Sequence, residues 1–325
     1  MTLGRLIDSF LDDLAIGRSP ATVATYRSAL RWFAESLGAD TPIAELTADH
    51  AIQFAREVSR GGRAPRTTVQ LYTTAVSRLY AYLVREDVRP DLPLEKLQLR
   101  LQQLRGKRPK RLPKVPADDL IERVVAVART APSADSSTGE LIRLRNVALV
   151  ETMRGSGVRV SELVSLRRGD LEIEGRRAVV TGKGSKERLI FFTEPAWRAI
   201  RLYLDARRDP GTGRALAGLP LFARHDRAAK GRAQPLTPQS VRDVVWDLAR
   251  RAGAAELGLT PHRFRAWFAT HLVAETGDLA AVQDLLGHES ADTTRVYTRV
   301  AAQRLAEVHR QAFGGHPEAP RDGNA

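Results

Sequence analysis

A short basic segment containing two prolines divides this sequence into halves with different patterns. It runs from Arg105 to Lys114 and holds six cations and no acidic residue. Proline lacks a backbone donor and disfavours helix at the residue before it, so the segment is expected to be extended. Helical spacing alone precedes it, whereas both helical and strand patterns follow it. The sequence therefore predicts two domains joined by a basic linker.

Length and charge agree with this division and narrow the kinds of partner. The 325 residues suit two domains, and 51 basic against 38 acidic residues give a net charge of +13. Such an excess favours a polyanionic partner, so nucleic acid is expected and a membrane surface is the weaker alternative. The absence of cysteine excludes disulfides, thiol catalysis and zinc ribbons. No signal peptide or membrane-spanning run is present, so the protein is expected to be cytoplasmic and not membrane-bound.

The part before the basic segment is expected to be entirely helical. Apolar residues recur there at helical spacing, and Ser19 followed by Pro20 is a typical helix start. We expect a helical domain over residues 1–88 and an inter-domain linker over residues 89–114. The four helical patterns cover residues 3–14, 22–37, 47–58 and 67–85.

The part after the basic segment combines helices with a small antiparallel sheet. Residues 177–181 and 188–192 alternate like strands, and the glycine-rich turn between them predicts a hairpin. We expect one mainly α domain over residues 115–313 and a disordered tail over residues 314–325. The predicted helices cover residues 118–128, 141–166 with a break near 155–157, 195–207, 237–252, 262–275, 278–286, 291–298 and 301–313.

Several polar residues of this second part are of the types that act on phosphates. His262 and Arg265 stand three residues apart, which places both on one side of a helix. Each residue alone has an ordinary structural explanation, such as a surface ion pair or a solvated turn lysine. The other candidates are Arg159, Glu162, Lys183 in the glycine-rich turn, His288 after Gly287, and Tyr297.

These residues occur together in five motifs that follow one order along the chain. The motifs are G-V-R-V-S-E-L at 157–163, T-G-K-G-S-K-E-R at 181–188, T-P-H-R-F-R at 260–265, L-L-G-H at 285–288 and T-T-R-V-Y-T at 293–298. In this order they resemble the tyrosine recombinase family, and most closely its bacterial Xer branch. The resemblance covers most of residues 115–313, and the helical domain and linker resemble that family's core-binding domain and connector.

The resemblance implies a role for each candidate residue. Arg159 and Arg265 would clamp the scissile phosphate, and His262 and His288 would hydrogen-bond to it. Lys183 would be the general acid. Tyr297 would be the nucleophile, and Glu162 would support the site. No metal and no cofactor is implied, because a covalent phosphotyrosine conserves the energy of the phosphodiester bond.

The resemblance also implies partners and a biological role. Duplex DNA would be held by the linker cations Arg105, Lys107, Arg108, Lys110, Arg111 and Lys114. The protein would act as a homo- or hetero-tetramer, with itself or with a paralogous recombinase, through a Holliday junction. The expected role is resolution of chromosome or plasmid dimers at cell division. An integrase of a phage or mobile element is the alternative, and a non-catalytic DNA-binding regulator is less favoured.

Two further features qualify the resemblance. The residue after Arg265 is usually histidine in the family, but here it is Ala266, followed by Trp267. An apolar stripe within residues 301–313 contains Val308 and Phe313. The resemblance implies that this helix docks into a neighbouring protomer, and packing on its own domain is the alternative.

Overall fold

The computed structural model describes most of the chain and divides it into two units. It describes residues 1–60, 66–105, 115–131, 136–182, 186–226, 229, 232–287 and 307–313. Unit 1 is Met1–Arg111 and unit 2 is Leu112–Ala325. Among the described residues, every helix is too short or too polar to cross a membrane. The expected fold class, mainly α with a small antiparallel sheet, is confirmed.

Unit 1 is helical throughout its described residues, and local capping explains where one of its helices begins. The Ser19 hydroxyl accepts from the Thr22 amide, and Pro20 takes the first turn, where no amide donor is needed. The Tyr80 hydroxyl donates to the Thr47 carbonyl at 2.7 Å and so satisfies a polar group within the core. The helices are α1 Leu3–Gly17, α2 Pro20–Leu37, α3 Ala48–Arg60, α4 Arg66–Arg85 and α5 Leu94–Arg105, with a 3-10 turn at Ile43–Glu45.

Helix α5 occupies part of the range that was expected to be the linker. It lies within residues 89–114, where the sequence analysis predicted a connector, but Leu97 and Leu101 are buried in the core of unit 1. Arg105 at its end donates to the Thr73 hydroxyl and carbonyl, at 3.0 and 2.9 Å. Unit 1 therefore extends beyond residue 88, and the guanidinium of Arg105 is bound within it. The other five linker cations lie outside the described residues.

Unit 2 surrounds its longest helix, α7, which packs against α6, α9 and α12. Thr193, Thr237 and Thr260 each cap the start of a helix with their side chains, and each is followed closely by proline. The helices are α6 Asp118–Thr130, α7 Ser137–Ser156, α8 Val160–Ser165, α9 Glu194–Arg207, α10 Arg214–Ala217, α11 Pro238–Arg251, α12 Pro261–Thr276 and α13 Leu279–Leu286. Short 3-10 turns lie at Arg168–Asp170 and Ala255–Leu257.

The sheet of unit 2 is a three-stranded antiparallel meander. Its strands are β1 Leu171–Glu172, β2 Arg177–Thr181 and β3 Glu187–Phe191, in the order β1-β2-β3. Val180 pairs with Arg188, and the Gly182 amide donates to the Lys186 carbonyl at 2.7 Å where the hairpin turn begins. The predicted hairpin is confirmed, whereas β1 is too short to produce an alternating pattern.

A helix over residues 307–313 packs on unit 2 of its own chain. Val308 is buried in the core of that unit, and Phe313 stacks on Phe268 with ring centroids 5.4 Å apart. Residues 307–313 therefore follow the alternative of packing on their own domain. The rest of the expected 301–313 helix, the expected 291–298 helix and the 314–325 tail lie outside the described residues.

Candidate active site

The junction between α7 and α8 brings the first candidate residues into place. Helix α7 ends at Gly157, which has a φ of +58°, a left-handed conformation that suits glycine. A Cβ at this position would collide with the ring of Phe268 on α12. The close approach lets the Arg265 side chain, also on α12, donate to the Gly157 carbonyl at 2.7 Å. One glycine therefore permits both the turn into α8 and the close packing of α12.

Arg159 caps the start of α8 and remains partly open to solvent. Its amide donates to Glu162 Oε2 at 2.9 Å, and its Nη1 donates to Glu162 Oε1 at 2.7 Å. Its Nη2 donates to the Gly287 carbonyl at 2.9 Å. The side chain is 35 % exposed. The guanidinium is thus held in one orientation while part of it can still meet a ligand.

Glu162 is a buried carboxylate shared by two arginines. Its side chain is 1 % exposed, and Arg188 on β3, 4 % exposed, donates to its Oε2 at 2.7 Å. Burial alone would raise the pKa of Glu162. The charge and hydrogen bond of Arg188, together with the hydrogen bonds from Arg159, lower that pKa below its ordinary value. Glu162 is therefore a fixed negative charge that orients both guanidiniums.

Arg265 is a buried cation that donates to backbone carbonyls. It is 6 % exposed and donates to the carbonyls of Gly157 and Leu286. Burial, and then the charges of Arg188 and Arg159, lower the pKa of Arg265 to about 9. A lowered pKa means that the surroundings stabilise the cation less well than water does. An anion bound beside Arg265 would restore that stabilisation.

The three arginines converge on the carboxyl end of α13. Arg188 donates to the Leu285 carbonyl, Arg265 to the Leu286 carbonyl and Arg159 to the Gly287 carbonyl. These carbonyls have no partner within the helix, and the helix dipole makes this end negative. Gly287 has a φ of +59°, and a Cβ there would lie 2.8 Å from Cδ of Arg188. Glycine is therefore needed both for the end of the helix and for the close approach of Arg188.

The base of the β2–β3 hairpin lies against the same cluster. A Cβ added to Gly182 would lie 3.4 Å from Glu162 Oε1 and 3.6 Å from Arg159 Nη1. Lys183 is the next residue in the sequence, so the described chain leads to the cluster at this point. Lys183 itself lies outside the described residues, as do His288 and Tyr297.

The structure thus brings together three of the expected site residues, and a fourth lies on the same helix as one of them. Arg159, Glu162 and Arg265 form one cluster. His262 lies one turn before Arg265 on α12 and is exposed, whereas Arg265 is buried. Within the ranges that the structure describes, no group of three or more His, Cys, Asp and Glu could hold a metal ion.

The motifs gave Arg188 no role, although it ends the motif T-G-K-G-S-K-E-R at 181–188. The strand pattern indicates that Arg188 is buried. It lies two residues before the buried Ile190 on β3, so both side chains face the interior. The sequence did not predict a structural role for Trp267 either. Its indole nitrogen donates to Asp118 Oδ1 at 2.5 Å, so it ties α12 to the first turn of α6 beside the unusual Ala266.

The arrangement is suited to binding an anion. Among the residues that the structure describes, three guanidiniums and one carboxylate leave a surplus of two positive charges at this place. Guanidinium groups present paired donors that match the oxygens of phosphate and carboxylate groups. Burial removes competing water and strengthens such interactions. The cluster can therefore hold a phosphate and stabilise negative charge that develops on its oxygens.

Family models and curated relatives match both parts of the chain. Residues 120–304 match the model of the phage integrase family, and residues 7–87 match that of the phage integrase N-terminal SAM-like domain. The tyrosine recombinase XerD of Yersinia pestis is 34 % identical over 320 residues, covering 97 % of this chain and 98 % of that protein. The tyrosine recombinase XerC of Alcanivorax borkumensis is 33 % identical over 317 residues, covering 97 % and 94 %.

Solved structures share the fold. The Tn1549 transposon integrase in complex with circular intermediate DNA has a TM-score of 0.66 at 18 % identity, covering 94 % of this chain and 98 % of that one. The XerH recombinase bound to palindromic difH substrate has a TM-score of 0.62 at 23 % identity, covering 89 % and 79 %. The family models and the curated relatives span both units of the chain. The chain therefore belongs to the phage integrase family and is a tyrosine recombinase.

Proposed function

We propose that this protein is a site-specific recombinase that cuts and rejoins DNA through a 3′-phosphotyrosine intermediate and a Holliday junction. The observation that carries the proposal is the cluster of Arg159, Arg188 and Arg265 around the carboxylate of Glu162. Arg159 and Arg265 would clamp the scissile phosphate, with His262 and His288 donating to its oxygens. Negative charge grows on those oxygens during phosphoryl transfer, so fixed cations there lower the barrier.

The proposed chemistry is two successive transesterifications. The Tyr297 oxygen attacks the phosphorus, a new P–O bond forms to the tyrosine, and the bond to the 5′ oxygen breaks. Lys183 gives its proton to that 5′ oxygen, which is far too basic to leave unprotonated. In the second step Lys183 takes back a proton from a 5′ hydroxyl of the partner strand, whose oxygen attacks the phosphotyrosine. The Tyr297 phenolate then leaves and regains the proton that it lost in the first step. The number of phosphodiester bonds is conserved, so the proposal requires neither a nucleotide nor a metal ion.

The proposed substrate is duplex DNA. The structure of the Tn1549 integrase is in complex with circular intermediate DNA, and that of XerH is bound to a palindromic difH substrate. The net charge of +13 suits a polyanion, and Lys107, Arg108, Lys110, Arg111 and Lys114 would contact phosphates. Arg105 is better assigned to anchoring α5, because its guanidinium is bound to Thr73. We propose four protomers on two duplexes, with either this chain or a paralogue as partner.

The proposed role is resolution of chromosome or plasmid dimers at cell division, in the cytoplasm. It is supported by curated relatives named XerD and XerC that match nearly the whole chain. The second candidate is integration of a mobile element by the same chemistry. It is supported by the likeness to the Tn1549 transposon integrase.

Covalent trapping tests the proposal directly. Duplexes with randomised half-sites are first selected by binding to the protein and are then nicked beside the cleavage position, so that the cut strand diffuses away. The wild type should accumulate an SDS-resistant protein–DNA adduct in the presence of EDTA. Tyr297→Phe should bind the same DNA and form no adduct, because phenylalanine keeps the ring and loses only the hydroxyl.

Tyr82→Phe is the matched control, since it removes a tyrosine hydroxyl on α4 of unit 1, to which the proposal assigns no catalytic group. It should form the adduct at the wild-type rate. An adduct with Tyr297→Phe would refute the assignment of the nucleophile. Binding without any wild-type adduct would favour a non-catalytic regulator instead.

A further inference from the structure

Arg188 is a buried cation of unit 2 to which the proposed reaction assigns no step. It lies on β3, and its guanidinium joins the carboxylate of Glu162 to the carbonyl of Leu285 at the end of α13. These partners come from α8 and α13, far apart in the sequence. Arg188 therefore connects three elements, namely the hairpin, the short helix that begins at Arg159 and the helix that ends before His288.

Each of these elements leads to a different group of the proposed site. The hairpin carries Lys183 two residues after β2 ends. Arg159 occupies the N-cap position just before α8, and α13 ends at Leu286, two residues before His288. A connection among the three elements fixes the described ends from which the chain continues toward these groups. A displacement of about 1 Å in such a site can slow a reaction about 100-fold.

We propose that Arg188 is a positioning residue that holds Glu162, and through it Arg159, in the geometry needed for strand cleavage. The proposal rests on the recombinase function proposed above. Arg188 touches neither the DNA nor the reacting atoms in this scheme. It acts by holding a carboxylate whose two oxygens accept from Arg159, at the backbone amide and at Nη1.

Gly287, at the end of α13, leaves space for the side chain of Arg188. A Cβ at Gly287 would lie 2.8 Å from Arg188 Cδ, so a side chain there would displace the arginine. The L-L-G-H motif thus supplies two things in this structure, the end of α13 and the space for Arg188. This contact brings Arg188 of the hairpin together with Gly287, which lies nearly 100 positions later in the sequence.

The charged groups facing Glu162 give the proposal a pH signature. Among the described residues they are Arg159 just before α8, Arg188 on β3 and, at longer range, Arg265 on α12. Burial opposes the charged carboxylate, and Arg188 is the strongest influence in its favour. Without Arg188 the pKa of Glu162 rises, so the carboxylate takes up a proton at a higher pH. A protonated Glu162 cannot accept both hydrogen bonds from Arg159.

The first experiment measures the rate of adduct formation against pH for the wild type, Arg188→Met, Arg188→Lys and Arg145→Met. Arg145 is the matched control, because it is a buried arginine of unit 2 that donates to Asn146 and to the Ala223 carbonyl. Arg188→Met should cleave about 100-fold more slowly. Its affinity for DNA should stay within about twofold of the wild type, since the phosphate contacts that dominate affinity remain. The acid limb of its pH profile should move toward neutral pH, and lysine should restore part of the rate.

Arg145→Met should keep the wild-type pH profile, whatever it does to stability. The proposal is overturned if Arg188→Met cleaves at the wild-type rate. It is equally overturned if the rate falls only in proportion to the folded fraction with an unchanged pH profile.

A double-mutant cycle then asks whether Arg188 acts through Glu162. In a Glu162→Gln background the carboxylate is already neutral, so adding Arg188→Met should slow cleavage by less than about threefold. Residues in one hydrogen-bonded network are expected to be non-additive in this way, whereas independent sites add. A full second 100-fold loss would show that Arg188 acts by another route and would overturn the proposal.

Hydrogen exchange provides a reading that does not depend on activity. Amides in residues 279–287 should exchange faster in Arg188→Met than in the wild type or in Arg145→Met, because the tie to Leu285 is lost. Unchanged exchange there would overturn the positioning role even if the wild type forms no adduct. A wild type without adduct would instead refute the proposed recombinase function, so the two failures are distinguishable.

Discussion

Arg207 and Arg265 are both buried in unit 2, but their surroundings differ in one respect. The Nε of Arg207 donates to both carboxylate oxygens of Asp209 at 2.7 Å, and its Nη1 donates to the carbonyls of Pro220 and Leu221. Within the described residues, Arg265 donates to backbone carbonyls and to no carboxylate. Burial disfavours both cations, yet the pKa of Arg207 is raised, largely by Asp209, and that of Arg265 is lowered to about 9.

The presence or absence of a carboxylate partner distinguishes a structural ion pair at Arg207 from a ligand-binding site at Arg265. Asp209 also accepts from Arg168 at 2.6 Å, so the Arg207 region carries its own counter-charge. In the described part of the chain, the Arg265 region contains three guanidiniums and the carboxylate of Glu162, which is already shared by Arg159 and Arg188. A buried cation without its own counterion is costly unless another group supplies the charge. In a tyrosine recombinase that group is expected to be the scissile phosphate.

The largest effect expected from this comparison is on cleavage by Arg265→Met. Loss of the buried cation should slow adduct formation by about 100-fold to 1000-fold, as removal of one group that stabilises transition-state charge does in other enzymes. Arg265→Lys should restore little of the rate, because an ammonium cannot present paired donors to a phosphate. The measurement is single-turnover cleavage of the nicked duplex. Wild-type cleavage by Arg265→Met would end the assignment of Arg265 to the phosphate.

The next effect is on stability and should appear at the other arginine. Arg207→Met leaves Asp209 buried with Arg168 alone, and breaking a buried pair in this way costs about 3–5 kcal/mol. Arg265→Met should cost less, because it leaves no carboxylate of its own behind and removes a poorly stabilised charge. Urea unfolding of the two variants checks the order. An equal or greater loss with Arg265→Met would show that both arginines are structural.

The helices that the sequence predicted well are those whose signals are local. Apolar spacing and capping residues, such as Thr260 followed by Pro261, define where α12 begins. Helix α5 was missed although Leu97 and Leu101 have helical spacing, because the prolines and cations that follow it suggested a connector. Whether those leucines are buried depends on α3 and α4, against which α5 packs, and that contact is not encoded locally.

The candidate site shows the same division between local and long-range information. Arg159 and Glu162 are three residues apart, so their pairing could be predicted from helical geometry. The convergence of Arg188 and Arg265 on the end of α13 joins residues about 100 and 20 positions apart and follows from tertiary packing. Resemblance to a family identified Arg265 without that geometry, whereas nothing in the motifs indicated that Arg188 would hold Glu162.

The smallest expected effect is stabilisation by a free anion, which tests the missing counterion without DNA. Inorganic phosphate at ten times its dissociation constant should stabilise the folded protein by about 1.4 kcal/mol, because it binds the folded cluster and not the unfolded chain. For a unit of this size that corresponds to a rise of about 3–6 °C in melting temperature.

Phosphate also stabilises proteins non-specifically by exclusion from their surface, so the rise is compared with that in chloride at matched ionic strength and with that in Arg265→Met. The variant should keep the non-specific part and lose the saturable part, whereas Arg207→Met should keep both. An identical rise in all three proteins would show that the Arg265 cluster does not bind phosphate, and the contrast between the two buried arginines would then concern stability alone.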